Sequence, residues 1–160
     1  MKYLKIRIVC FLAILAALVP GSAWPAGPSL SVDTFSVNFS TPTERSLDLG
    51  YIDVGDNMNS FAVRINIYGG DMGQRWKLYV RAVNDIFSPG IYNKKCSDLR
   101  WKFDADSPSA YRRLRTSNQL VASGSGGQNV TKTIDLRMML GWSDPPARYS
   151  LPMAFTLMVE

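Results

Sequence analysis

Histidine is absent from the 160 residues of this chain. That excludes Ser-His-Asp and Cys-His nucleophile systems, His-ligated zinc chemistry and any histidine-based pH switch. Cysteine is scarce, with only Cys10 and Cys96. Aspartate supplies nearly all of the 13 acidic residues, and none stands in a pattern that marks it for catalysis. No stretch repeats apolar residues three and four apart over several turns, so no long helix is expected. The longest apolar run, Ile8–Val19, falls short of the roughly 20 residues a spanning helix needs. What is present, 46% hydrophobic and 19% charged residues, is the composition of a globular chain of one domain, not of a disordered one.

The N-terminus is distinct from the rest. Lys2, Lys5 and Arg7 precede the apolar run, and Pro20, Gly21, Ser22 and Ala23 follow it. A basic start, an apolar stretch and small residues at the cut describe a secretory signal peptide, with cleavage after Ala23. The expected organisation is therefore a signal peptide over 1–23, a short leader segment over 24–29 and one β-sandwich domain over 30–160. Removal of the three leader bases changes the formal charge from +5 to +2, with 15 bases against 13 acids. The expected location is secreted, at the cell surface or in the periplasm, with no membrane span after cleavage. Cleavage would also remove Cys10 and leave Cys96 without an intrachain partner. Cys96 reads as a small buried hydrophobe, although Lys94 and Lys95 beside it are residues that lower a thiol pKa.

Beyond the leader the period is two. Phe61, Val63, Ile65 and Ile67 alternate with Ala62, Arg64, Asn66 and Tyr68, and Trp76, Leu78, Val80 and Ala82 with Lys77, Tyr79 and Arg81. With Gly69–Gln74 between them, the two runs predict a β-hairpin. Ile134–Leu140 and Tyr149–Val159 repeat the pattern, and Leu30–Phe39, Leu47–Val54, Leu99–Phe103 and Gln119–Ser123 are shorter candidates. Gly124–Gly127 reads as a flexible hairpin connection, and Ser107–Tyr111 as one helical turn. The fold class expected is all-β, a single antiparallel, immunoglobulin-like β-sandwich of about seven to eight strands.

Candidate sites are few. Trp76 and Trp101 fall in register with apolar neighbours and read as core. Trp142, beside the Pro145-Pro146 turn, is the candidate glycan contact. Lys94, Lys95, Arg100, Lys102, Arg112, Arg113 and Arg115 outnumber Asp98, Asp104 and Asp106, a local excess of +4 against −2 in the rest of the mature chain. They form a candidate patch for an anionic polymer such as teichoic acid, lipopolysaccharide or an acidic polysaccharide, or else a charged edge strand guarded against aggregation. Asp104 with Asp106, and Asp53 with Asp56 and Asn57, lack the spacing of a calcium loop and read as turn residues. No catalytic residue, metal set or cofactor is expected, the chain is read as a non-enzyme, and nucleic acid is not an expected partner.

The run Gln74-Arg75-Trp76-Lys77-Leu78-Tyr79-Val80-Arg81-Ala82 resembles the proximal Trp-x-Leu motif of the WxL domains of bacterial cell surfaces. Tyr149 to Leu157 resembles that family's distal strand, with Phe155 where a Trp stands in the family, so Trp76, Leu78, Tyr149, Phe155 and Leu157 carry the resemblance. The phrases Leu47–Gly55 and Trp142–Tyr149 are similar to those of immunoglobulin-like and pilin-like secreted bacterial sandwiches. The resemblance implies a structural, adhesive or wall-associating surface module. Its partners would be cell-wall or envelope polysaccharide or other surface proteins, self-assembly included. Leu30–Phe39 is the segment expected to complete a neighbour's sheet if the chain builds fibres by β-strand addition, and a carbohydrate-binding module is the further alternative.

Overall fold

The structure, a computed structural model, describes residues 6–12, 27–55 and 60–160. The cleavage position at Ala23 and the pair Asp56 and Asn57 lie outside the described residues. Among the described residues, eleven strands and one short α-helix follow in chain order: β1 (Ile6–Leu12), β2 (Ser29–Val32), β3 (Ser36–Phe39), α1 (Glu44–Leu49), β4 (Tyr51–Val54), β5 (Val63–Tyr68), β6 (Arg75–Ala82), β7 (Leu99–Phe103), β8 (Arg112–Arg113), β9 (Gln119–Ser125), β10 (Val130–Met139) and β11 (Met153–Val159).

They form two sheets. One has the order β3-β1-β11-β6-β9 and the other β2-β5-β10-β7-β8, with β4 lying beside the second half of β10. The chain is thus an all-β sandwich. Its pairings are antiparallel except that β1 runs parallel to β11. Period-two alternation puts Val63, Ile65 and Ile67 from one sheet and Leu78, Val80 and Ala82 from the other fully inside. Trp76 and Trp101 are core residues, 2% and 1% exposed. Ala62 and Asn66, expected on the wet face, are buried instead. The Asn66 amide donates to Asp33 and its carbonyl accepts from Thr131, so the polar group is satisfied.

Several expectations are corrected. The β5–β6 pair is not a hairpin: β5 belongs to one sheet and β6 to the other. Gly69, Gly70 and Gly73 all take positive φ and turn the chain across the roughly 10 Å between layers. Alternation alone cannot separate the two cases, because strands facing a core from opposite sides show the same pattern. The Gly124–Gly127 connection crosses between sheets for the same reason, from β9 to β10. Leu30–Phe39 is two strands in different sheets. Leu47–Val54 is not one kinked strand but the end of α1 followed by β4. There Thr43 accepts from the Ser46 amide at 3.2 Å, and Ser46 Oγ accepts from the Thr43 amide at 2.7 Å. This reciprocal cap, with Gly50 at φ 76 closing the other end, sustains six residues of helix without any buried side chain. Ser107–Tyr111 is a turn, closed by the Ala110 amide on the Ser107 carbonyl, and not a helix. The final strand starts at Met153, just after Pro152, which lacks the amide a ladder needs.

Candidate functional site

The most distinctive geometry is the position held by β1. Ile6, Arg7, Ile8 and Val9 pair with Phe39, Asn38, Val37 and Ser36 on one side. Cys10, Phe11 and Leu12 pair with Met153, Ala154 and Phe155 on the other. Among the described strands β1 is the only ladder partner of β3. Ile6, Ile8, Cys10 and Leu12 therefore stand in register with Phe39, Val37, Met153 and Phe155, which are at most 4% exposed. A chain cut after Ala23 lacks β1 altogether. It would keep a slot one strand wide between β3 and β11, edged by unpaired backbone groups and walled by those four apolar side chains.

Next to the slot, β11 pairs with β6 along its whole length, with Leu157 opposite Leu78 and Phe155 opposite Val80. The two Trp-x-Leu-like segments are thus neighbouring strands. Trp76, Leu78, Tyr149 and Phe155 are buried and Leu157 is half-buried. The Trp76 indole donates to the Ser125 carbonyl at 3.1 Å. A Cβ on Gly124 would lie 2.4 Å from the Trp76 ring, so glycine is what lets β9 lie against it. A cavity of about 540 Å³ opens there, lined by Trp76 together with Met72, Gln128 and Lys132, although Trp76 is only 2% exposed. Tyr149 donates to the Pro145 carbonyl, and burial with the nearby Asp144 charge pushes its phenol pKa up.

The candidate anionic-polymer patch is largely dispersed. Lys94 is buried and donates to Asp144 at 2.7 Å, with Asp98 at 3.6 Å. Lys95 faces Asp85 at 3.5 Å. Lys102 is not on a wet face: it is 2% exposed and donates to Asp135, itself fully buried, at 2.7 Å. Arg112 lies over the Trp101 ring, 5.1 Å from its centroid, and 4.0 Å from Asp106. Arg100 and Arg113 are brought together instead, directly opposite each other on β7 and β8. The buried Arg100 Nε has no hydrogen-bond partner among the described residues. Arg115 is exposed after β8.

Sequence reasoning missed Arg137. It is held by Asp53 through two bonds of 2.6 and 2.7 Å and lies between the rings of Tyr51 and Tyr111, at 3.8 and 4.1 Å. The Asp53 hydrogen bond is the main cause that raises its pKa. Nothing in the period-two pattern signals this, because it depends on which strand lies beside β10. The reading of Asp53 as a turn residue is corrected accordingly. Asp106 does serve its turn, accepting from the Phe103 amide at 3.4 Å.

Cys96 is buried, and burial, then the Asp85 carboxylate, push its thiol pKa up, not down. Lys94 and Lys95 do not activate it because both face carboxylates. Trp142 is 67% exposed in the turn closed by Asp144 on Gly141. Among the described residues no group of three or more His, Cys, Asp or Glu could hold a metal ion, and no helix is long and apolar enough to cross a membrane. The chain matches no protein-family model, and no curated protein matches it at significant similarity.

Proposed function

We propose that the mature chain is an exported, non-catalytic subunit of a cell-surface assembly, in the manner of WxL-like or pilin-like surface modules, and that its sandwich is completed by an added β-strand. The observation that carries this reading is the place of β1: a segment with the composition of an export signal fills an interior strand position between β3 and β11. An interior slot lined by Val37, Phe39, Met153 and Phe155 holds an extended strand by main-chain hydrogen bonds and apolar side chains, the general chemistry of strand addition. The test is thermal unfolding of residues 24–160 titrated with a synthetic peptide of residues 5–12, Cys10→Ser, with lysine tails. Unfolding shifts upward with peptide concentration, by about 2.7 kcal/mol at a hundredfold excess over Kd. An unfolding temperature indifferent to peptide contradicts the reading.

A second reading, contact with an acidic envelope polysaccharide, is favoured by one observation. Like charges directly opposite on neighbouring strands are destabilising, and Arg100 and Arg113 stand so. A carboxylate or phosphate between two guanidinium groups relieves that repulsion with paired hydrogen bonds. Retention on immobilised polygalacturonate that falls on Arg113→Gln supports it, and equal retention of the two proteins counts against it.

A further inference from the structure

We infer that the strand completing this sandwich comes from a different polypeptide, not from a second copy of this chain; this rests on the strand-addition reading above. The slot asks for four apolar residues at alternate positions over about seven residues, the pattern of Ile6, Ile8, Cys10 and Leu12 in register with its walls. The mature N-terminal region does not supply it. Trp24-Pro25-Ala26-Gly27-Pro28 carries two prolines, each without the amide that an interior ladder requires. Pro28 also lies against Gly70, where a Cβ would meet the proline ring at 2.5 Å, so the chain is seated on its own domain there.

The two following strands are already paired. In β2, Leu30 and Val32 stand opposite Ile67 and Ile65 of β5, and the next alternate positions, Thr34 and Ser36, are polar. A copy that gave β2 to a neighbour would strip the edge of its own second sheet. A copy that gave β3 would lose Val37 and Phe39, one wall of the slot it needs filled. The donor is therefore an extended segment of another protein, apolar at four alternate positions and free of proline between them. In the arrangement of β1 it runs parallel to β11 and antiparallel to β3.

Residues 24–160 are purified, and refolded with and without the lysine-tailed peptide of residues 5–12. Light scattering and electron microscopy read the assembly state, and native mass spectrometry reads stoichiometry. The expected result is a chain that forms no fibres by itself and takes up one peptide per molecule. A peptide with Ile8→Asp and Cys10→Asp is not taken up. If the chain is soluble only when refolded with the apolar peptide, that equally supports the inference. Linear fibres from residues 24–160 alone, with no peptide uptake, overturn it and assign the donor to a second copy, while leaving strand addition intact. A stable monomer that ignores the peptide overturns both. So does a chain that aggregates whichever peptide is present.

Discussion

The two sheets of this sandwich are built to different degrees by residues 24–160. In one, β2, β5, β10, β7 and β8 with β4 all lie between Ser29 and Met139 and find their partners within that stretch. Its core side chains Val63, Ile65, Leu99, Ile134 and Leu136 are fully buried, and the Lys102–Asp135 pair is buried on its other face. In the other, β11, β6 and β9 are joined, but β3 reaches them only through β1. The difference lies in where the strands come from: one sheet is complete within residues 29–139, and the other has an interior position held by β1. A sheet with a missing interior strand exposes two edges and a strip of core, which favours addition of a strand from elsewhere.

Substitutions that act on one sheet and spare the other sharpen this contrast. The largest effects come from the two interiors. Asp135→Ala leaves the Lys102 ammonium without its carboxylate and costs about 3–5 kcal/mol. Urea unfolding shows the same loss with the leader retained and with residues 24–160, because that pair lies in the complete sheet. Phe155→Ala costs about 3–5 kcal/mol in the chain that retains β1. In residues 24–160 the loss is smaller, since the slot side of Phe155 is already uncovered. Equal losses in the two forms would break the comparison.

A smaller effect is expected on the far side of the incomplete sheet. Gly124→Ala drives a methyl into the Trp76 ring and costs about 1–3 kcal/mol, with a change in tryptophan fluorescence. Peptide uptake survives it, because β9 is separated from the slot by β6 and β11. The smallest effect is one of pH. Cys96 and Tyr149 hold their protons in the folded chain to higher pH than when unfolded. Their contribution is intact below the ordinary thiol range and is lost as pH rises through the raised values, so stability falls with alkali. Cys96 alkylates slowly in the native chain at neutral pH and readily in urea; fast native labelling at pH 7 contradicts the burial.

Much of this fold is legible in the sequence, for a local reason. Alternation reports which residues face inward, so Trp76, Leu78, Val80, Trp101, Ile134 and Leu136 could be named as core from spacing alone, while Phe87 and Leu114, outside the alternating runs, could not. What alternation does not carry is the identity of a strand's neighbour. That is why Phe61–Ala82 read as a hairpin when its halves lie in opposite sheets, and why Lys102, on the outward side of β7, read as solvated when Asp135 lies directly across from it. The helix at Glu44–Leu49 was hidden because Leu47 and Leu49 fit a strand, while the cap that decides the matter is two small hydroxyl residues. That Ile6–Leu12 pairs with both β3 and β11 was not readable either, since its partners on β11 lie more than 100 positions away.

Amide hydrogen exchange on residues 24–160, with and without the peptide of residues 5–12, tests the difference between the sheets most directly. In the chain alone, β5, β7 and β10 are protected, while β3 and the slot-facing amides of β11 exchange rapidly; adding the peptide slows those and leaves the other sheet unchanged. Protection of β3 and β11 equal to that of β5 and β10 without any peptide would show that residues 24–160 close both sheets by themselves, and would contradict the account.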